Sequence, residues 1–270
     1  MTRNPMPIFL HIPKTGGTTL NSALTWQYLW RPTLWLQPSE ASERWCPPQI
    51  GDLDERQRAR LELVRGHAYY GVHTEFPGPT TYIALLRHPL WHVRSQYKYY
   101  EGGYWDQWSI GKILSSKGEH LRALNNTLVR WTSGVGFKPE RCGQAEFERA
   151  KYNLENHFAV VGLTEKLGES LVLMKKALGW SRPLLYCSAK VHNQIHPRAD
   201  LGDEACNLVL EHCHWNVKLY EWAKSEFKKN NSKRTLRKRS RPGPADWNYG
   251  IGLSVQHSIC LGPSEAPTTL

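Results

Sequence analysis

Between residues 11 and 20 the chain reads HIPKTGGTTL, with a lysine, two adjacent glycines and three threonines inside six positions. Glycines let a backbone approach an anion closely, and the N–H groups of a helix start point at it. Lys14, Thr15, Thr18 and Thr19 add donors around Gly16 and Gly17. The plainer alternative is a turn that merely starts a helix. The lysine precedes the glycines, so the order G-x-x-x-x-G-K-[ST] of the familiar nucleotide loop is not met, which counts against an ordinary ATPase or kinase. A second group of this kind lies in LLRHPLWHVRSQYKYY, where Arg87 ends an apolar run and Ser95 follows eight residues later. A guanidinium and a hydroxyl so placed can grip another phosphate, the guanidinium bidentately. Standing alone, each has a bland reading: Arg87 paired with an acid, and Ser95 an ordinary helix residue. Together, the two grips suit a ligand phosphorylated at two separated points.

The elements that must carry these groups are legible as alternating strands and helices. PIFLHI reads as a buried strand, and TTLNSALTWQYLW as a helix with Leu20, Ala23, Leu24 and Tyr28 on one face. Residues 31 to 60 read as loop with a short helix, and ARLELVRGHAYYGVH leads into a polar, aromatic turn. TTYIALL is a second strand ending at Arg87, and Pro89 suits the first turn of the helix after it. FAVVGL is a third strand, followed by a helix with Leu167, Leu171, Met174 and Leu178 in a stripe that Gly179 ends. DEACNLVLEHCHWNVKLYEWAKSEF reads as one closing helix. The expected fold is therefore α/β, a P-loop-like three-layer domain with a central, mainly parallel sheet flanked by helices and ligands at the carboxyl ends of the strands.

Composition bounds the rest. The net charge of +11 is concentrated in KKNNSKRTLRKRSR, residues 228–241, which holds eight basic and no acidic residues and leaves the body near +3. We read 1–227 as one folded domain and 228–270 as a basic, solvated, disordered tail. A polyanion-binding role for that tail is the reading from a different class, and peripheral contact with a membrane is compatible with it; nucleic acid is not the expected partner. Six cysteines without a C-x-x-C pair point to free thiols, and Cys206, His212, Cys213 and His214 lack metal-ligand spacing, so no metal is expected. No run approaches the roughly 18 apolar residues of a membrane span.

The two anion motifs, in this order and spacing, resemble those of PAPS-dependent sulfotransferases. HIPKTGGTTL is similar to their 5′-phosphosulfate loop, and LLRHPLWHVRSQYKYY to their 3′-phosphate segment, usually written L-R-D-P-x-x-R-x-x-S-x-Y. The likeness runs through RGHAYYGVH, NNTLVRWTSG, FAVVGLTEKLGESLVLMKKALGW and NVKLYEWAKSEF, over residues 7 to 227. It is nearest the carbohydrate group that includes the heparan sulfate uronosyl 2-O-sulfotransferases and bacterial relatives. The resemblance implies PAPS as sulfuryl donor, held by Lys14, Thr15, Gly16, Gly17, Thr18 and Thr19 at the 5′ side and by Arg87 and Ser95 at the 3′ side. It also implies His67 as base on an acceptor hydroxyl, and Lys190 with His192 on a loop over the nucleotide. Lys14 would neutralise charge on the leaving oxygen, and no metal is needed for that.

Two positions depart from the family's pattern. His88 stands where an aspartate is usual and His92 where an arginine is, with Arg94 displaced by two onto another helix face. His11 and His73 are weaker alternatives as base. Tyr69, Tyr70, Trp105 and Trp108 are candidates to stack on sugar or adenine, with core as the competing reading. Thr164 in GLTE reads most simply as a strand-to-helix cap. The implied acceptor is a carbohydrate or glycolipid hydroxyl, and no residue pattern sets the oligomeric state. A kinase or NTPase with a non-standard loop is the rival within enzymes. Animal relatives are Golgi proteins with an N-terminal anchor, whereas this chain starts almost at its first strand; the expectation is a cytoplasmic enzyme.

Overall fold

The computed structural model describes residues 4–37, 48–100, 109–115, 124–136, 142–187 and 196–239, with 230–239 as backbone alone. The chain divides into two compact units, Met1–Asn231 and Ser232–Leu270. In the second, only the helical backbone as far as Arg239 is described.

In the first unit the described residues form a five-stranded sheet: β1 (Met6–Leu10), β2 (Thr33–Leu36), β3 (Leu63–Gly66), β4 (Thr80–Leu86) and β5 (Phe158–Leu163), in the order β2-β3-β1-β4-β5. Every neighbouring pair is parallel. β1 is central and buried along its whole length, which is why PIFL is an unbroken apolar run.

Residue pairing puts Phe9 beside Arg65, and Leu10 beside Gly66. Gly66 in turn lies beside Leu36. Side chains therefore alternate between two apolar layers. On one face Phe9, Ile83 and Leu85 meet Leu20, Ala23 and Leu24 of α1 (Gly17–Gln27) and Tyr28 at its C-cap. Leu171 and Met174 join them from the helix Leu167–Ala177, α2, which follows β5. Both apolar stripes read from the sequence thus serve the core as expected. On the other face Ile8, Leu10, Leu36, Val64 and Leu86 meet Trp131, Leu154 and Leu219. These come from α3 (Thr127–Ser133), α4 (Gln144–Asn156) and α5 (His214–Arg239). Helices on both faces of a parallel sheet make the three-layer α/β fold expected.

Strands β2 and β3 were not anticipated. TLWL is four residues long and its outer face is exposed. LVRG carries a charged residue that finds partners elsewhere: the Arg65 Nη1 donates to the Asn21 carbonyl at 3.1 Å and the Thr25 hydroxyl at 2.7 Å on α1. Such short strands leave no periodic signal.

The closing helix is also a correction. It is broken at Cys213 into α6 (Asp203–His212) and α5. Side-chain amides take over helix bonds at the break. Asn125 and Asn126 donate to the His212 carbonyl at 2.8 and 3.1 Å, and the Asn216 N–H donates to the Asn126 Oδ1 at 3.0 Å. The expected tail boundary at 227/228 falls inside α5, whose helical backbone continues to Arg239. Among the described residues no helix is long and apolar enough to cross a membrane.

Candidate active site

The loop Pro13–Gly16 joins β1 to α1 at the carboxyl end of the sheet. Backbone φ is +64° at Lys14 and +86° at Gly16, the left-handed values that, alternating with ordinary ones, turn successive N–H groups toward one side. The loop's carbonyls are held on the other side by three side chains from three elements. The His92 Nε2 donates to the Pro13 oxygen at 2.9 Å, and the Arg87 Nη1 to the Lys14 oxygen at 3.0 Å. The Thr164 hydroxyl lies 2.6 Å from the Thr15 oxygen, to which it donates, and 3.0 Å from that of Leu86. A loop whose carbonyls are held in this way can offer its N–H groups to an anion. Thr164 therefore bolts the loop to the ends of β4 and β5; it caps no helix.

The remaining loop residues have distinct parts. Thr15 is fully buried and its hydroxyl donates to the Ile12 carbonyl at 2.8 Å. This corrects the expectation of a side-chain donor there: Thr15 offers only its N–H. Thr18 is exposed at the start of α1, while Thr19 is buried. The Lys14 ammonium rests 4.2 Å above the ring of Tyr99, on the helix α7 (Pro89–Tyr100) that follows β4. Gly17 is required by space, since a Cβ there would stand 1.8 Å from the Nε2 of His11.

At the end of β4, Arg87 is half-buried and keeps the rest of its fork without a further hydrogen bond among the described residues. Ser95, two turns along α7, is half-buried, and its hydroxyl likewise has no hydrogen bond among the described residues. The substituted histidines have clear structural roles. The His88 ring Nδ1 accepts the Leu90 N–H at 3.3 Å at the start of α7, and the His88 backbone N–H donates to the Glu165 Oε1 at 2.8 Å. His92 is fully buried, and burial pushes its pKa down to about 4. Donating to Pro13 while neutral, it stabilises the loop without adding a charge. Arg94 points to another face, as expected, and pairs with Asp200 at 2.7 Å.

His67 follows β3 directly. Its N–H donates to the Leu36 carbonyl at 3.0 Å and its ring Nδ1 lies 2.9 Å from the carbonyl of His11. A carbonyl can only accept, so Nδ1 carries the proton and Nε2 keeps its lone pair. The ring stacks on His11 at 4.3 Å and meets the edge of Trp131 at 5.9 Å. Burial lowers its pKa below the ordinary histidine value, partly opposed by the His11 bond. It is a neutral imidazole in the tautomer of a base.

The other aromatic and histidine candidates are displaced. His11 is driven down to about 3 by burial and then by His67, too low for a base working near neutrality. His73 bonds the Tyr82 hydroxyl at 2.9 Å, and Tyr70 bonds the Nδ1 of His157. Both sit where β4 and β5 begin, the end of the sheet opposite the loop. Tyr69 is buried against Trp131 at 4.7 Å, which is core. Lys190, His192, Trp105 and Trp108 lie outside the described residues. His92 and Thr164 are visible in the sequence as a departure and a cap, but not as supports of the loop, and Trp131 only as part of NNTLVRWTSG.

No family model matches the chain. Among curated proteins, galactose-3-O-sulfotransferase 2 of Sus scrofa is 29% identical over 134 residues, which is 45% of this chain and 33% of that protein. The Homo sapiens galactose-3-O-sulfotransferase 2 is 26% identical over 175 residues, 60% of this chain and 44% of that one. The match thus spans less than half the length of either relative. Among solved structures, a sulfotransferase from Alicyclobacillus acidocaldarius overlaps with a TM-score of 0.43 at 14% identity, over 79% of this chain and 97% of its own. Mouse sulfotransferase SULT7A1 complexed with PAP gives 0.39 at 13% identity, over 83% and 90%. In sequence the chain is thus similar to part of two galactose-3-O-sulfotransferases.

Proposed function

We propose that this protein transfers a sulfuryl group from PAPS to a hydroxyl of a carbohydrate acceptor. The observation that carries the reading is the loop whose three successive carbonyls are held back by His92, Arg87 and Thr164, one strand away from a histidine with a free Nε2. The residues suit the donor. The left-handed turn at Lys14 and Gly16, the bare Gly17 and the uncommitted part of the Arg87 fork are what a 5′-phosphosulfate and a 3′-phosphate would need.

PAPS, when bound, supplies the sulfuryl group and a nucleotide leaving group. His67 takes the proton of the acceptor hydroxyl on Nε2 as that oxygen bonds to sulfur, a task for which a positioned base contributes about 10² to 10⁴-fold. Its Nδ1–H stays on the His11 carbonyl and steadies the imidazolium so formed. Lys14, with the loop N–H groups, offsets the negative charge that develops on the departing oxygen. Arg87 and Ser95 hold the 3′ side, and orientation by both ends supplies much of the rate.

The test is transfer of labelled sulfate from PAPS across a panel of galactose-terminated and other glycans, with PAP stabilisation of the fold against heat as control. Transfer without added metal is expected. Absence of PAP stabilisation together with metal-dependent ATP turnover would support the kinase rival instead.

A further inference from the structure

We propose that His11 is a positioning residue for His67, fixing both the free nitrogen and the ring plane of the base and tying them to the donor loop. This deepens the sulfuryl-transfer reading and rests on it. His11 is joined to β3 beside the base, its N–H donating to the Gly66 carbonyl at 3.0 Å. Its own carbonyl accepts from the Nδ1 of His67 at 2.9 Å. The rings of Phe9, His11 and His67 form a column, with centroids 5.2 and 4.3 Å apart and planes 18° and 22° from parallel. The His11 imidazole also fills the space where a side chain on Gly17 would stand, with Nε2 at 1.8 Å and Cδ2 at 2.0 Å from that point. One ring therefore touches the base on one side and the first residue of α1 on another, so base and loop share a single support.

The imidazole is not there to stabilise the core. Its Nδ1 is buried without a hydrogen bond among the described residues, which costs folding energy that a phenyl ring would not. Its stacking is what an aromatic hydrocarbon also provides. Burial keeps it neutral, so it does not repel His67 when the base takes a proton.

The experiment uses the full chain carrying His11→Ala or His11→Phe, with nitrogen-resolved NMR of His67 beside kinetics. In the native protein the Nδ1 of His67 is expected to be protonated. In His11→Ala the backbone carbonyl remains, so Nδ1 should stay protonated, while the unstacked ring gains water and the titration of His67 should move up toward the ordinary histidine value. The same variant should lose tenfold to a hundredfold in kcat, the scale of a displaced catalytic group, with PAP affinity within twofold. His11→Phe should fold at least as well, restore the titration and recover most of the rate. An unchanged titration and an unchanged kcat in His11→Ala would overturn the proposal. A native protein that transfers no sulfate while its His67 titration still responds to residue 11 would sink the sulfuryl-transfer reading and leave the coupling intact.

Discussion

At the scale of single residues, the site depends on what lies behind it as much as on what faces the ligand. Thr164 bears no resemblance to a ligand group, yet it holds the Thr15 carbonyl at 2.6 Å. Thr164→Val should leave that oxygen without its donor, at about 1–3 kcal/mol. PAP affinity should fall about tenfold while Thr164→Ser restores it, as calorimetric titration would read. For His67, burial lowers the pKa, so the acid limb of kcat/KM should lie below pH 6.5 and the rate should fall as pH drops through it. For stability the sign follows from His92, whose pKa is about 4 when folded against about 6.5 unfolded. The unfolded chain binds more protons in that window, so stability is intact above pH 6.5 and declines toward pH 4, by on the order of 3 kcal/mol. His92→Gln should flatten that decline in a pH series of thermal melts. Lys14 and Arg87 stand out in the sequence by type and spacing, and His67 by the family resemblance and its place between the two motifs. As supports of the loop, His92 and Thr164 do not, because the carbonyls they hold are 79 and 149 positions away along the chain.

At the scale of elements, the long, apolar pieces were legible and the short ones were not. β1, β4, β5, α1 and α2 carry uninterrupted or periodic apolar runs; β2 and β3 have four residues each and are defined by their neighbours. The break between α6 and α5 was hidden because both sides keep helical periodicity. It is created by Asn126 and Asn216, which exchange hydrogen bonds with each other's helices: the Val129 N–H donates to the Asn216 Oδ1 at 3.1 Å, as the Asn216 N–H does to Asn126. Both side chains are buried. Asn216→Ala should cost about 2 kcal/mol, measured by urea unfolding, without altering the His67 titration. A sharper test concerns the fit between β1 and α1. Gly17→Ala forces a methyl into the His11 ring and should cost about 1–3 kcal/mol. In the double variant with His11→Ala the two losses should not add, since the ring and the methyl compete for one space.

At the scale of the whole molecule, the strong positive charge is a property of one segment. Most of the excess over the body's near-neutral balance falls in residues 228–241, at and beyond the limit of the compact unit that ends at Asn231. A chain ending at 231 should keep its melting behaviour and its PAP stabilisation, because Arg87, Thr164 and the loop all lie within the first unit. Loss of PAP response on that truncation would assign the donor grip to the basic segment instead. The three-layer architecture followed from alternation of strand and helix, whereas the order of strands did not, since two of the five left no mark in the sequence.

That order has a bearing on descent. β1 lies between β3 and β4, so His67 leaves the sheet on one flank of the loop and Arg87 on the other. On the proposed reading, substitutions near β2 and β3 reshape what approaches His67, while β4 and β5 keep Arg87 and Thr164 in place. A lineage built on this sheet can drift from one hydroxyl to another without losing the currency it transfers.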